Sequence, residues 1–75
     1  MEFVATFYGA NRLKNSTNGN PRWRLRTSVG VFVTQSDSAV NYDVNNFLHS
    51  SLGLVDKEVR FTTTKAGHVW RMEPA

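Results

Sequence analysis

Three arginines alternate with uncharged residues in the segment RWRLRT, at Arg22, Arg24 and Arg26. Successive side chains of a β-strand point to opposite faces, so in a strand these guanidinium groups lie on one face, about 7 Å apart. That spacing is close to the phosphate repeat of a nucleic-acid strand, and contacts to phosphates release condensed counterions. The segment therefore predicts a row that follows a phosphate backbone. The alternative is an edge strand whose charged side chains discourage pairing with another chain.

Other cations and aromatic rings extend this row if their strands lie beside it. The additional cations are Arg12, Lys14 and Arg60, and the rings that could stack on bases are Tyr8, Phe32 and Trp70. Each of these three rings has a core position as its alternative, because a small domain needs most of its aromatic residues inside. Four other rings are predicted core residues: Phe7, Trp23, Phe47 and Phe61.

The charge is unevenly distributed along the 75 residues. Nine lysines and arginines against six aspartates and glutamates give a net charge of +3 and a pI near 9.8. Residues 3–36 hold five basic residues and no acidic one, whereas residues 37–75 hold four basic and five acidic ones. Such a basic stretch is typical of proteins that bind nucleic acid or an anionic surface. The alternative is a solvated face that keeps a small protein soluble.

Residue types that usually carry out catalysis or bind metals are scarce. There is no cysteine, so neither a disulfide nor a thiolate site for zinc or nucleophilic attack is available. The two histidines, His49 and His68, have no metal-binding motif around them, and the five glycines form no phosphate-binding loop. No G-x-S-x-G motif marks a serine nucleophile. We expect a protein that is not an enzyme and that holds no metal or cofactor.

The hydropathy pattern indicates a soluble protein. Apolar stretches are only a few residues long, which predicts neither a transmembrane span nor a signal peptide. The 40% hydrophobic, 12% aromatic and 20% charged residues are typical of a globular domain. We expect one domain over residues 1–75, monomeric or a small homo-oligomer, located in the cytoplasm without membrane contact.

The order of the strands follows from the alternation of apolar residues. A long first strand is predicted for residues 2–14, with Gly9 at a bulge or bend in its middle. A turn-rich loop at residues 15–21 leads to a strand at 22–28, and Gly30 separates that strand from a hairpin partner at 31–34. Two further strands, at 55–63 and 68–72, form a terminal hairpin.

Between the third and fourth strands the period changes to that of a helix. One helical stripe contains Val40, Val44, Phe47, Leu48 and Ser51. Ser36 or Ser38 is the predicted N-cap, and Asp37 suits the positive end of the helix dipole. Gly53 suits the left-handed C′ position at the other end.

Three strands, a helix and two strands indicate a mainly β fold. Their order matches an OB-like five-stranded barrel, in which the helix connects strands 3 and 4. The binding face of such barrels centres on strands 2 and 3, where the arginine row is expected. The alternative is an open antiparallel sheet with one packed helix, built from the same elements.

Two stretches carry a resemblance to a known group of proteins. They are NSTNGNPRWRL, followed by a glycine-valine-phenylalanine hairpin, and TQSDSAVNYDVNNF. In these stretches the chain resembles small uncharacterised proteins encoded by actinobacteria and their bacteriophages. The resemblance covers most of the chain, and residues 18–24 and 37–45 are its most distinctive parts. It implies an intracellular protein encoded by such a phage or its host, and it assigns no functional residue.

Two functional hypotheses follow from these observations. The first is a non-enzymatic domain that binds nucleic acid, DNA or RNA and preferentially single-stranded, mainly through phosphate contacts of the arginine row. The second is a protein–protein interaction module that engages a host or phage protein, or a second copy of itself, through a sheet edge or exposed rings.

Overall fold

Five strands and one helix follow one another in a computed structural model that describes residues 1–49 and 53–75. The strands are β1 (Glu2–Leu13), β2 (Arg22–Thr27), β3 (Gly30–Val33), β4 (Lys57–Thr63) and β5 (Val69–Pro74), and the helix is α1 (Val40–Phe47). The strands form one antiparallel sheet in the order β3-β2-β1-β4-β5. The predicted mainly β class and the predicted order of elements are confirmed.

The long strand β1 joins the two halves of the sheet. Its first half, from Glu2 to Phe7, pairs with β4, and its second half, from Phe7 to Leu13, pairs with β2. The pairing with β2 passes from Phe7–Thr27 directly to Gly9–Arg26, so Tyr8 is the extra residue of a β-bulge. Gly9 has a φ of 143°, which side chains rarely permit. The break predicted at Gly9 is therefore this bulge.

The core lies between one face of the sheet and α1. Its fully buried side chains include Phe7, Leu25, Val44, Val59, Phe61 and Val69. Trp23 is also buried, as predicted, whereas Phe47 is half-buried and packs against the core. Full burial of one such side chain contributes about 1.5–3 kcal/mol. In a chain of this size each of these side chains therefore matters to stability.

Buried polar groups attach α1 to the sheet. The Asn41 side chain, 1% exposed, donates hydrogen bonds from Nδ2 to the carbonyl oxygens of Gln35 (2.8 Å) and Ser38 (3.0 Å). The indole N–H of Trp23 donates to the carbonyl oxygen of Asn41 at 2.9 Å. These bonds compensate for the low helix propensity of the asparagine-rich segment.

The helix ends differ from those predicted. The helix begins at Val40, and its N-cap residue Ala39 makes no side-chain capping bond. Ser36 is not the N-cap, and the hydroxyl of Ser38 donates to the carbonyl oxygen of Trp70 at 3.2 Å. The helix ends at Phe47, so Gly53 is not its C′ residue, and the predicted stripe member Ser51 lies outside the described residues. Contacts to the sheet, rather than local capping, set the start of α1.

The sheet is open, so the predicted closed barrel is not observed. Within residues 1–49 and 53–75, its edge strands β3 and β5 meet at one isolated parallel bridge, between Thr34 and Val69. There the N–H of Gln35 donates to the carbonyl oxygen of Val69 at 2.7 Å. Because β3 ends where β5 begins, no continuous ladder forms between them. The observed architecture is the alternative, an open antiparallel sheet with one packed helix.

The sequence predicts no transmembrane span. In the described part of the chain, no helix is long and apolar enough to cross a membrane, and α1 has eight residues.

Candidate nucleic-acid interface

Two of the three predicted arginines lie side by side on the sheet face opposite the core. Residues paired directly across antiparallel strands share a face. Arg24 pairs with Asn11 of β1 and Val33 of β3, and both Trp23 and Leu25 beside it point into the core. Here the arginine face is the surface formed by Gly9, Asn11, Arg24, Arg26, Val31 and Val33. Both arginines are exposed, and every other member is uncharged.

The guanidinium group of Arg26 occupies a defined position on this face. It lies over Gly9, where an added Cβ would stand 2.6 Å from Nη2 and 3.5 Å from Cζ of Arg26. Gly9 is consequently buried although it lies on the outer face. The absence of a side chain at Gly9 allows Arg26 to lie across β1. A guanidinium held in this way loses less side-chain entropy when it binds an anion.

The third arginine of the predicted row is hydrogen-bonded to the main chain. Arg22 is half-buried, and its Nη2 donates to the carbonyl oxygen of Thr34 at 3.1 Å. Its Nε atom is buried and has no hydrogen-bond partner among the described residues. Arg22 also lies close enough to Asp37 to contribute to lowering the pKa of that carboxyl group. The freely exposed part of the row is therefore Arg24 and Arg26.

The other predicted cations lie at three different places. Arg12 pairs with Trp23, so it lies on the core side of the sheet, with its guanidinium 5.6 Å from the centre of the indole ring. Its Nη atoms donate to Leu13 O at 2.9 Å and to Asn15 Oδ1 at 2.7 Å. Lys14 is exposed just beyond the end of β1. Neither residue belongs to the arginine face.

Arg60 lies in the other half of the sheet, where carboxylates offset its charge. Its guanidinium is 3.7 Å from Glu2 and 3.9 Å from Glu73, and Glu73 also pairs with Arg71 at 3.1 Å. These are exposed ion pairs, each worth only about 0–1 kcal/mol. The positive charge of the outer sheet surface is thus concentrated on the arginine face.

The three predicted stacking rings have different surroundings. Tyr8, 49% exposed, is the bulge residue next to Gly9 and Arg26. Phe32 is half-buried and contacts Phe3, with ring centres 4.8 Å apart. Trp70, 42% exposed, is skipped in the pairing of β5 with β4, and β5 is the edge strand farthest from β3 in the order of the sheet. Only Tyr8 is beside the arginine face.

Asp37 anchors the loop of residues 15–21 to the segment before α1. Its carboxylate accepts hydrogen bonds from Ser16 Oγ (2.6 Å), Asn18 Nδ2 (2.9 Å) and Asn20 Nδ2 (2.7 Å). These bonds, with a smaller contribution from the charge of Arg22, hold its pKa below the ordinary value. Asp37 therefore fixes this loop from a position three residues before the helix begins at Val40. The serine and asparagines of the loop indicate hydrogen-bond donors. Nothing in their spacing indicates that the acceptor is Asp37, which is distant in the sequence.

Two residues important to the site were not singled out as site residues from the sequence. From the sequence alone, Gly9 indicates only a bulge or bend in β1, and nothing marks Asn11. The register of β1 against β2 places both beside the arginines. A glycine within a strand is a signal for close approach of another group, which here is the Arg26 guanidinium.

Metal-binding residue types are dispersed in the described residues. His49 and His68 are both exposed. In residues 1–49 and 53–75, no three histidine, cysteine, aspartate or glutamate side chains form a group that could hold a metal ion.

Comparison of the chain with protein-family models, with curated proteins and with solved structures finds no match. A functional assignment therefore depends on the geometry and charge of the arginine face.

Proposed function

We propose that this protein is a non-enzymatic domain that binds nucleic acid through its phosphate backbone, with Arg24 and Arg26 as the main contacts. The observation that carries this proposal is the pair of exposed guanidinium groups on the arginine face, whose other members are all uncharged. Guanidinium groups bind phosphate oxygens with paired, charge-assisted hydrogen bonds. Because phosphate contacts carry no sequence information, we expect binding with low sequence specificity.

The spacing of the two arginines supports this proposal. Residues two apart in a strand lie about 7 Å from each other, so each guanidinium can meet one of two successive phosphates. Asn11 adds a side-chain amide next to Arg24. Lys14 is exposed beyond the end of β1, and a longer ligand would reach it.

We also propose that the open sheet is a variant of the OB-like architecture. Three features support this: β1 is shared by two halves of the sheet, α1 lies between β3 and β4, and Thr34 and Val69 form a single bridge between the edges. In OB folds the face of strands 2 and 3 binds nucleic acid. The arginine face belongs to the same strands of this chain.

The test is fluorescence anisotropy of labelled oligonucleotides at low and at physiological salt. The informative variant is Arg24→Gln with Arg26→Gln, and the matched control is Arg60→Gln with Arg71→Gln, which removes the same charge from the other half of the sheet. With two phosphate contacts, the logarithm of the binding constant should fall with the logarithm of salt at a slope of about −1.4 for a single strand. We expect the first variant to lose binding and this slope, and the control to keep both. Unchanged affinity of a folded first variant would overturn the proposal.

Among the described residues, β3 forms a ladder only with β2, and its other edge supports a second candidate function, the binding of a protein partner by strand addition. Val29 and Val31 are 60% and 59% exposed, and the β3 segment GVFV carries no charge that would protect an edge. The N–H of Thr34 donates to Trp23, so by alternation the main-chain groups of Val31 and Val33 point away from β2. An extended segment of a phage or host protein, or a second copy, could pair there.

A charge placed on this edge separates the two candidates. Val31→Lys should abolish association with a protein partner or with a second copy, measured by affinity capture and by sedimentation. It should not weaken nucleic-acid binding, because Arg24 and Arg26 remain and the lysine adds a further cation beside Arg26 on the arginine face. If Val31→Lys changes neither association nor capture, edge pairing is excluded.

A further inference from the structure

Tyr8 occupies the point where β1 leaves one neighbour and joins the other. The pairing of β1 with β4 ends at Phe7–Lys57, and the pairing of β1 with β2 skips Tyr8 between Phe7 and Gly9. A bulge residue of this kind is released from the regular alternation of the strand, and bulges often redirect a side chain near a functional site. The ring is 49% exposed.

The ring and a guanidinium group occupy adjacent positions on β1. Residue 8 carries the exposed ring, and the space above residue 9 is filled by the Arg26 guanidinium. Successive positions along a strand are about 3.4 Å apart. The strand positions that carry the exposed ring and the guanidinium are therefore immediate neighbours.

We infer that the ligand of the arginine face is a single-stranded nucleic acid, with one unpaired base stacked on Tyr8 and the adjoining phosphates bound by Arg26 and Arg24. This inference rests on the proposed function. Every base has a face that can stack on an aromatic ring, so stacking adds affinity without selecting a sequence. Bases of a duplex are already stacked on each other and do not present that face.

Two elements that could enter a duplex groove, α1 and the β2–β3 hairpin, either lack positive charge or are bound to the sheet. The exposed side chains of α1 include Asp43, Asn45 and Asn46, and its last turn has no basic residue. The tip of the β2–β3 hairpin is bound to β1 by two hydrogen bonds, from Ser28 N–H to Thr6 O (3.0 Å) and from Thr6 N–H to Ser28 Oγ (2.9 Å). Reading a major groove needs a projecting helix or two-stranded ribbon with cations for the flanking phosphates. The arginine face offers a sheet surface with a ring instead.

The experiment compares the affinity of Tyr8 variants for single-stranded and duplex oligonucleotides by fluorescence anisotropy. Tyr8→Leu removes the ring, Tyr8→Phe retains it, and Tyr42→Leu is the matched control, since Tyr42 is a similarly exposed tyrosine on α1 (57%). We expect Tyr8→Leu to weaken single-strand binding by roughly 5- to 150-fold. We expect Tyr8→Phe and Tyr42→Leu to bind like the unmodified protein. The salt slope should be unchanged in Tyr8→Leu, because stacking releases no counterion.

Thermal unfolding of each variant shows whether it is folded at the assay temperature. If Tyr8→Leu is not, Tyr8→Thr, with its high strand propensity, takes its place. A folded Tyr8 variant that binds single strands normally, or a protein that binds duplex as tightly as single strands, would overturn the inference. In that case loss of binding in the double arginine variant would still support the proposed function. Failure of that variant to lose binding would overturn the proposed function itself.

Discussion

The guanidinium group of Arg26 lies where the side chain of residue 9 would be, with Nη2 2.6 Å from the Cβ position of Gly9. Two properties of Gly9 are used together: its φ of 143° forms the bulge, and its lack of a side chain leaves room for the arginine. The shape of β1 and the position of a cation are thus determined at one residue.

We predict that Gly9→Ala lowers both stability and nucleic-acid affinity. Alanine at this φ is strained, which should reduce the free energy of unfolding by about 1–3 kcal/mol in urea denaturation. Its methyl group also displaces the Arg26 guanidinium, so anisotropy should show weaker binding. Gly67→Ala is the control, because Gly67 has a φ of 86° but nothing within 4 Å of its Cβ position. That control should lose stability and keep its affinity. Normal binding by a folded Gly9→Ala protein would show that Gly9 does not position Arg26.

We predict that the hydrogen bonds of Asp37 make stability decrease at acidic pH. Folding lowers the pKa of Asp37 below its ordinary value of 3.8, so the ionised carboxylate is the form that the folded state favours. Its stabilising contribution is present above pH 3.8 and is lost as the pH falls through the lower pKa of the folded state. Thermal unfolding midpoints measured from neutral pH down to about pH 2 should fall less steeply in Asp37→Asn than in the unmodified protein.

The control for this titration is Asp43→Asn on α1, which removes the same charge from an exposed position. Asp37→Asn should also have a lower midpoint at neutral pH, because it replaces the acceptor for Ser16, Asn18 and Asn20. Parallel pH profiles of Asp37→Asn and the unmodified protein would contradict the proposed anchoring of the loop.

We predict that Asn41→Ala destabilises the protein far more than the same change at Asn45. Removing the Asn41 amide loses two part-buried hydrogen bonds, each worth about 0.5–1.5 kcal/mol, although Gln35 O and Ser38 O keep their backbone donors. Asn45 is exposed on the same helix, where alanine is the better helix former. Urea unfolding of both variants measures the difference. Equal stabilities would mean that the side chain of Asn41 does not attach α1 to the segment that precedes it.

The sequence predicted well those features that depend on the alternation of neighbouring residues. Trp23 and Leu25 point into the core and Arg24 and Arg26 away from it because a strand has a period of two. The bulge at Gly9 was also indicated, because glycine is favoured at such places.

Features that depend on distant partners could not be predicted in this way. Arg22 follows the same alternation as Arg24, but its guanidinium donates a hydrogen bond to the carbonyl oxygen of Thr34, just after β3. Serines before α1 look like caps, yet Ser38 bonds to Trp70 across the fold. Closure of a barrel depends on how far β3 and β5 run side by side. The periodicity of residues along one strand carries no information on that overlap.

The division of β1 between two partners imposes an order on folding. Its second half pairs with β2, which follows soon after in the chain. Its first half pairs with β4, so Glu2 lies opposite Thr62, which is distant in the sequence. Pairing between distant segments closes a long loop and forms late. During synthesis, Phe3, Ala5 and Phe7 stay without their β4 neighbours until residues 57–61 have also been made. The hairpin of β1 and β2, which already carries both arginines, is therefore expected to form before the core that supports it.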